Sequence, residues 1–227
     1  MKKTFFYILI THLCFISCNQ KYDLKKPNII YVLADDLGYG DIKVFNTKGK
    51  INTPYIDQLA SEGMIFTDAH TSSSVCTPTR YGILTGRYNW RSKLKKSVLN
   101  GTSKALISKK RTTIASLLKN NGYSTGFIGK WHLGWNWSLI DSTYYEDRVN
   151  LEKIDFTKNI THGPNDLGFD YSYGHSGSLD MPPYVYVENE KITGKINRVI
   201  EDKGEYSWFR KGPTADDFIH DQVTPHF

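Results

Sequence analysis

Apolar positions along this chain fall in short runs separated by glycine- and aspartate-rich breaks. Asn28-Ile29-Ile30-Tyr31-Val32-Leu33-Ala34 is a continuous apolar run of strand length. Such runs suit a strand covered on both faces, as in a parallel sheet. The run stops at Asp35-Asp36-Leu37-Gly38-Tyr39-Gly40-Asp41, which has the composition of a loop. Thr53-Pro54 supplies a cap and a first helical position, and the helix is expected to reach about Glu62, where Gly63 ends it. Met64-Ile65-Phe66 is expected to begin another short strand, and residues 72–77 to form a loop. Pro78 then sits in the first turn of a helix that includes Tyr81-Gly82-Ile83-Leu84. Over residues 112–121 the spacing predicts an amphipathic helix, with Ile114, Leu117 and Leu118 on one face and Asn121-Gly122 as its stop. Tyr123 to Ile128 returns as a strand, followed by Gly129-Lys130-Trp131-His132-Leu133-Gly134. This alternation of strand and helix is the pattern of an α/β sheet with crossover helices.

In such sheets ligands collect at the carboxyl ends of strands. Asp35-Asp36 and the Lys130/His132 pair each follow an expected strand, while Cys76 follows one and opens a helix. Three segments rich in reactive side chains are therefore expected to converge on one edge of the sheet.

Composition narrows the class. The 227 residues are 39% hydrophobic and 23% charged, which reads as one globular domain rather than a disordered chain. The aromatic share of 14% fits an ordinary core first and a carbohydrate-active protein second. Lys2, Lys3 and the mostly apolar stretch Phe5 to Ile16 form a targeting segment too short and interrupted to span a membrane. It ends in Phe15-Ile16-Ser17-Cys18, which resembles a bacterial lipoprotein cleavage box. Residues 1–17 are then a signal peptide, Cys18 the lipidated N-terminus and residues 18–27 a polar tether; an ordinary secretory signal is the alternative. Either way the chain is exported, to the periplasm or as an outer-membrane lipoprotein, and meets a membrane only through that lipid.

With 29 basic and 23 acidic residues, loss of Lys2 and Lys3 leaves a basic excess of four, a mild bias toward anionic partners. The cluster Arg91, Lys93, Lys95, Lys96, Lys104, Lys109, Lys110 and Arg111 reads most simply as a solvated face, with binding of a sulfated polymer as the lesser reading. Nucleic-acid binding is disfavoured, because the chain is exported and its basic residues carry no stacking motif. Cys76 is the one cysteine beyond Cys14 and Cys18. An exported chain with a leftover cysteine has no disulfide framework and raises a question about that thiol.

Taken singly, each candidate has an ordinary explanation. Paired aspartates after a strand usually make a turn and a cap, but they are also hard oxygen ligands for Ca²⁺ or Mg²⁺. A Lys-Trp-His triplet is usually surface, but residues two apart on a strand point the same way. A buried cysteine is usually a small hydrophobe, but at a helix start the dipole and Arg80 favour an anion on its side chain.

Taken together they resemble a family. Cys76-Thr77-Pro78-Thr79-Arg80 followed by Leu84-Thr85-Gly86-Arg87 is similar to the signature of the type I formylglycine-dependent sulfatases, of the alkaline-phosphatase superfamily. Gly129 to Gly134 resembles their second signature, and Asn28 to Gly40 their first metal-binding strand. Gly168-Phe169-Asp170 and Tyr173-Gly174 match a further stretch, and Ser178 to Val185 resembles bacterial glycan sulfatases. The resemblance runs from about residue 27 to the end. It implies an alkaline-phosphatase-like α/β fold, a mostly parallel central sheet with helices on both faces.

The resemblance also implies the chemistry. A formylglycine-generating or anaerobic sulfatase-maturing enzyme oxidises Cys76 to Cα-formylglycine, reading Pro78 and Thr79 on the unfolded chain. The hydrated aldehyde attacks the sulfur of a sulfate ester, and collapse of the sulfated hydrate regenerates the aldehyde. Asp35, Asp36 and residue 76 resemble the metal ligands, for Ca²⁺ ahead of Mg²⁺. Arg80 steadies the ionised hydrate, Lys130 bridges it and the sulfate, and His132 assists deprotonation. Ser178 touches the substrate sulfate. The substrate is a sulfated glycan. His70, His162 and His175 receive no role.

Family members usually run to twice this length or more, and their later part supplies a further Asp and Asn to the metal, a Lys and a His. Residues 28–227 therefore read as the N-terminal part of a catalytic domain, apparently truncated, and are expected to be poorly stable and nearly inactive alone. Two other functions compete: hydrolysis of phosphonate or phosphate esters, and non-catalytic binding of sulfated glycans by a surface lipoprotein.

Overall fold

The computed structural model describes residues 25–141, 147–201 and 208–227. The expected signal peptide, residues 1–17, and Cys18 lie outside the described residues. The chain divides between Ala34 and Asp35 into two compact units. No helix among the described residues is long and apolar enough to cross a membrane.

The core of the larger unit is built around the stretch that follows Lys130. Trp131, Leu133, Trp135 and Trp137 are all buried, as are His132 and Gly134 between them, where the chain takes positive φ angles. The three tryptophans and Leu133 pack in one cluster with Ile107, Ile154, Ile160, Tyr184, Tyr186 and Phe218. Removing each such side chain from water stabilises the fold by roughly 1.5–3 kcal/mol. Three of the five tryptophans are thus core residues, while Trp90 and Trp208 are exposed.

The main sheet flanks this core. Strand β1 (Gly126–Lys130) pairs in parallel with β2 (Tyr171–His175), in a register that sets Lys130 opposite His175. Strands β3 (Val187–Glu188) and β4 (Lys191–Ile192) continue it antiparallel in the order β1-β2-β3-β4. A second, two-stranded sheet joins β5 (Ile196–Ile200) to β6 (Gly212–Ala215). The class is α/β and the described sheet is mixed: β1 and β2 supply its parallel pair.

Helix α1 (Pro54–Glu62) follows the expected bounds, with proline in its first turn and Gly63 at its end. Helix α2 (Cys76–Thr85) begins two residues before Pro78, so the expected loop over 72–77 ends at Val75. Proline at the third helical position loses no intrahelical bond, since the first turn's N–H groups have none to make. Cys76 is therefore the first residue of the helix rather than the last of a loop.

Helix α3 (Ile114–Asn120) is capped by Thr113, whose Oγ1 accepts from Ser116 N at 3.0 Å. The same hydroxyl donates to Leu167 O at 2.5 Å, which fastens the helix to the segment before β2. This fixes its rotation, and only part of the expected apolar face packs. Ala115 is buried and Leu118 half-buried, whereas Ile114 and Leu117 are 45% and 54% exposed. A Cβ on Gly168 would come within 2.3 Å of Ser116 N, so the helix is seated by its small residues, where backbones approach closely. Helix α4 (Val223–His226) closes the described chain.

Two expected strands are not formed. Asn28–Ala34 carries no strand, and Ile30 and Val32 are 88% and 84% exposed. Met64–Phe66 is likewise irregular and exposed. A strand exists by its ladder, and no described residue pairs with either run. Strand β1 starts at Gly126 rather than Tyr123, because Thr125 is committed to Asp170 and Gly168 through its N–H and hydroxyl.

Candidate active site

Helix α2, the end of β1 and the loop after Ala34 meet at Cys76. Asp36 has φ +61°, a left-handed conformation that a short polar residue tolerates. This breaks the alternation that sends consecutive side chains to opposite faces. Asp35, Asp36 and Cys76 each offer one ligand atom, and all three atoms lie within 4.8 Å of one another. Arg80 stands one helical turn beyond Cys76, on the same face of α2. Its Nη1 donates to Lys130 O at 2.5 Å, and its Nη2 is 3.6 Å from Asp35 Oδ1. Its Nε is buried without a partner among the described residues. Lys130, the last residue of β1, directs Nζ to Cys76 Sγ at 3.2 Å and hydrogen-bonds to Asp35.

Opposite charges therefore surround Asp35. Burial by itself would raise its pKa, but the hydrogen bond and charge of Lys130, with the charge of Arg80, hold it below the ordinary carboxylate value.

His132 is fully buried at φ +51°, immediately past β1. Thr77 Oγ1 donates to its carbonyl at 2.9 Å and accepts from Leu99 N at 3.2 Å, which ties the start of α2 to both segments. His132 Nε2 lies 2.7 Å from Leu99 O, and Nδ1 has no partner among the described residues. A carbonyl only accepts, so Nε2 carries the proton and Nδ1 presents a lone pair. Burial, then the charges of Lys130 and Arg80, lower the imidazole pKa to about 4. His175, across the sheet from Lys130, is buried and lowered to about 3, by burial first and then by Lys130.

These two imidazoles make stability depend on pH. In the unfolded chain they titrate near 6.5, and in the folded chain far lower, so the unfolded state takes up protons first as pH falls. Their contribution is complete above about pH 6.5 and declines below it. At pH 5 each is expected to cost about 2 kcal/mol. Thermal unfolding of the chain between pH 7.5 and 5 reads this directly, and an unchanged midpoint would refute it. The lowered carboxylates, Asp35 among them, add their loss only at more acidic pH.

The folded chain thus gathers Asp35, Asp36, Cys76, Arg80 and Lys130, with His132 in the adjoining layer. Ser178 is half-buried in the loop after β2, where its carbonyl accepts from Met181 N at 2.9 Å; no described contact joins it to the cluster. Thr77 and His175 have no role assignable from the sequence, and both are buried supports of the site. Neither has a distinguishing local pattern: the contacts of Thr77 come from residues 22 and 55 positions away, and His175 meets Lys130 only across the sheet.

Comparison with known proteins identifies the family and the fold. The sulfatase family model matches residues 27–219, and the chain belongs to that family. An N-acetylgalactosamine-6-O-sulfatase of Bacteroides thetaiotaomicron is 39% identical over 183 residues, covering 78% of this chain and 33% of that protein. Human arylsulfatase A is 43% identical over 110 residues, covering 48% of this chain and 22% of that protein. Among solved structures, a B. thetaiotaomicron sulfatase described with the metabolism of multiple glycosaminoglycans has a TM-score of 0.71 at 30% identity. The match covers 88% of this chain and 46% of that one. Another, Ps i-CgsB in complex with k-i-k-neocarrahexaose, has a TM-score of 0.56 at 29% identity, covering 74% and 37%. The fold is that of these sulfatases, alkaline-phosphatase-like and α/β. The chain spans about a third of the length of the first two curated relatives it matches, the second being mouse arylsulfatase G.

Proposed function

We propose that the chain is the N-terminal part of a sulfuric ester hydrolase acting on sulfated carbohydrate, with Cys76 oxidised to Cα-formylglycine as its nucleophile. The observation that carries this reading is the convergence of Asp35, Asp36, Arg80 and Lys130 on the side chain of residue 76. Family membership and the glycan sulfatases among its relatives support it.

The donor set bears on the metal. Two carboxylates suit a hard cation such as Ca²⁺ or Mg²⁺, and a thiol does not. An aldehyde hydrate at position 76 supplies oxygen in place of sulfur, so the residues fit a hard cation once Cys76 is oxidised. Asp35, Asp36 and residue 76 would hold it, and it would neutralise sulfate oxygens and orient the hydrate. The remaining work belongs to the chain's own side chains. Lys130 holds one charge between residue 76 and Asp35, where it meets the anionic sulfate. Arg80, with its Nε uncommitted, faces the negative charge that develops on the hydrate. His132 is neutral at pH 7 and presents Nδ1 as a proton acceptor, in a tautomer set by Leu99 O. Ser178 is assigned to the substrate sulfate by resemblance.

We read the chain as exported through residues 1–17, anchored by lipid at Cys18, and matured by a formylglycine-generating or anaerobic sulfatase-maturing enzyme. The test is the mass of the tryptic peptide Ile51–Arg80 from protein made in its native host. Conversion of the Cys76 side chain from CH₂SH to CHO is expected. An intact thiol, in a host whose maturing enzyme is shown to be active, would overturn the catalytic reading in favour of a non-catalytic glycan binder.

A further inference from the structure

Residues 69–140 contain no aspartate or glutamate and hold twelve lysines and arginines. Several of these are accounted for. Arg80 and Lys130 meet Asp35, Lys109 meets Asp166, and Lys119 meets Asp170. Arg87, Arg91, Lys93, Lys95 and Lys96 form no ion pair with any described residue, and they fall within ten positions of one another.

The path of this segment ties it to the nucleophile. The chain leaves α2 at Gly86, whose N–H bonds back to Gly82 O at 2.8 Å. It returns at Leu99, whose N–H bonds to the hydroxyl of Thr77, next to Cys76. The ten residues of α2 span about 14 Å. The basic segment therefore runs from the far end of α2 back to the end that carries residue 76.

The segment is also rigidly built. A 3-10 turn, Asn89–Arg91, packs on α2. Asn89 is buried and its Nδ2 donates to Leu94 O at 3.4 Å. Ser92 Oγ donates to Asn89 O at 2.6 Å and accepts from Leu94 N at 3.1 Å. On this scaffold Tyr88 and Trp90 stack at 4.1 Å with their planes 10° apart, and both remain about half exposed. Lys95 Nζ donates to Trp90 O at 2.6 Å, which holds a cation beside the ring pair.

Two exposed, mutually stacked aromatic rings cost the fold burial that it does not recover. Beside them stand cations that no acid among the described residues neutralises. A flat apolar face next to clustered positive charge complements a sugar ring that carries anionic substituents. The geometry points to Tyr88, Trp90 and the Arg91–Lys96 strip as a docking platform for a sulfated polysaccharide, distinct from the sulfate-ester pocket. The polymer lies along the segment and is guided toward residue 76. The substrate class rests on the proposed function above; the platform adds where the polymer outside the pocket is held. Its binding energy is mostly counterion release by the lysines, with the tryptophan face setting the position of a sugar unit.

The experiment uses the full 227-residue chain made without maturing enzyme, so that binding is read independently of Cys76 oxidation. Immobilised heparin and chemically desulfated heparin serve as probes over a range of salt. Trp90→Ala is expected to weaken binding to heparin at least fivefold. Lys93→Glu, Lys95→Glu and Lys96→Glu together are expected to weaken it at least tenfold and to flatten the dependence of log K on log salt. Lys110→Glu with Arg111→Glu, in the same acid-free stretch, is expected to change it less than twofold. Thermal midpoints matched to the parent chain establish that each variant folds. Parent affinity in Trp90→Ala, equal loss in the Lys110/Arg111 control, or equal binding of desulfated heparin would each overturn the platform. Binding to anionic phospholipid vesicles but not to heparin would overturn it as well, in favour of a membrane surface. Oxidation of Cys76 is unaffected by any of these outcomes, so the two readings fail separately.

Discussion

Labelling of residue 76 by an aminooxy probe is expected to depend on when the maturing enzyme meets the chain. Co-expression of the enzyme should give aldehyde at position 76, whereas adding it to chain that has already folded should give at least tenfold less. The reason is the burial of the segment that the proposed function assigns to such an enzyme. Thr77 is fully buried, Pro78 is buried and Thr79 is 8% exposed. Thr77 Oγ1 is bonded to His132 O, and Thr79 Oγ1 to Ser73 O at 2.6 Å. Five consecutive residues of a helix wedged between β1 and the Leu99 segment do not become an extended substrate without opening the site. Cys76→Ala should remove labelling under either schedule. Equal labelling of folded and nascent chain would show that the helix opens readily, and would sink this account of maturation. Little turnover is expected from residues 1–227 alone even when labelled. Asp35, Asp36 and residue 76 are the acid–thiol group gathered among the described residues, and a hard divalent cation takes six or more oxygen ligands. Robust aryl sulfate hydrolysis by this chain would contradict that.

Gly134→Ala is expected to destabilise the fold by more than about 3 kcal/mol. Two effects add there. Gly134 has φ +69°, where an L side chain is strained, and a Cβ would stand 2.2 Å from Lys104 O. That carbonyl cannot withdraw easily. The neighbouring peptide groups are bonded on both sides, Lys104 N to Asp147 O at 2.8 Å and Leu106 N to Leu133 O at 3.0 Å. Gly134 O also accepts from the buried Trp131 Nε1 at 2.9 Å, so movement at 134 disturbs the core. Gly86 provides the control. Its φ is +64° but nothing lies within 4 Å of its missing Cβ. Gly86→Ala should therefore cost only the backbone strain, about 1 kcal/mol. Denaturant midpoints of the two variants separate strain from collision, and equal midpoints would refute the distinction.

Much of the candidate site is legible in the sequence, because its side chains sit in local motifs. Cys76 with Arg80 one turn later, Lys130 at the end of a strand and two aspartates after an apolar run are each short-range patterns. Helix α1 has its expected bounds, since Pro54 and Gly63 act within a few residues; Thr53 precedes it but makes no side-chain cap, its hydroxyl donating to Asp57 at 3.2 Å instead. Elements that depend on distant partners do not follow from such patterns. Asn28–Ala34 and Met64–Phe66 have strand composition, yet a ladder needs a neighbour and none of the described residues provides one. Only part of the expected face of α3 packs, because Thr113, Ser116 and Gly168 seat the helix through a cap and a close backbone approach, which outweigh its leucine and isoleucine stripe. The basic residues after Gly86 have the composition of an ordinary solvated face; only the fold stacks Tyr88 and Trp90 beside them on a chain that returns to Thr77.

Residue types and their short spacings are enough to name the candidate groups and their family. Which of those groups face one another is set by long-range contacts: Lys130 against both Cys76 and Asp35, and His132 held to Leu99. Covalent chemistry resides in individual side chains and is carried by the sequence itself. Proximity, burial and protonation state belong to pairs of residues dozens of positions apart, and these take their values only when the backbone between them has folded.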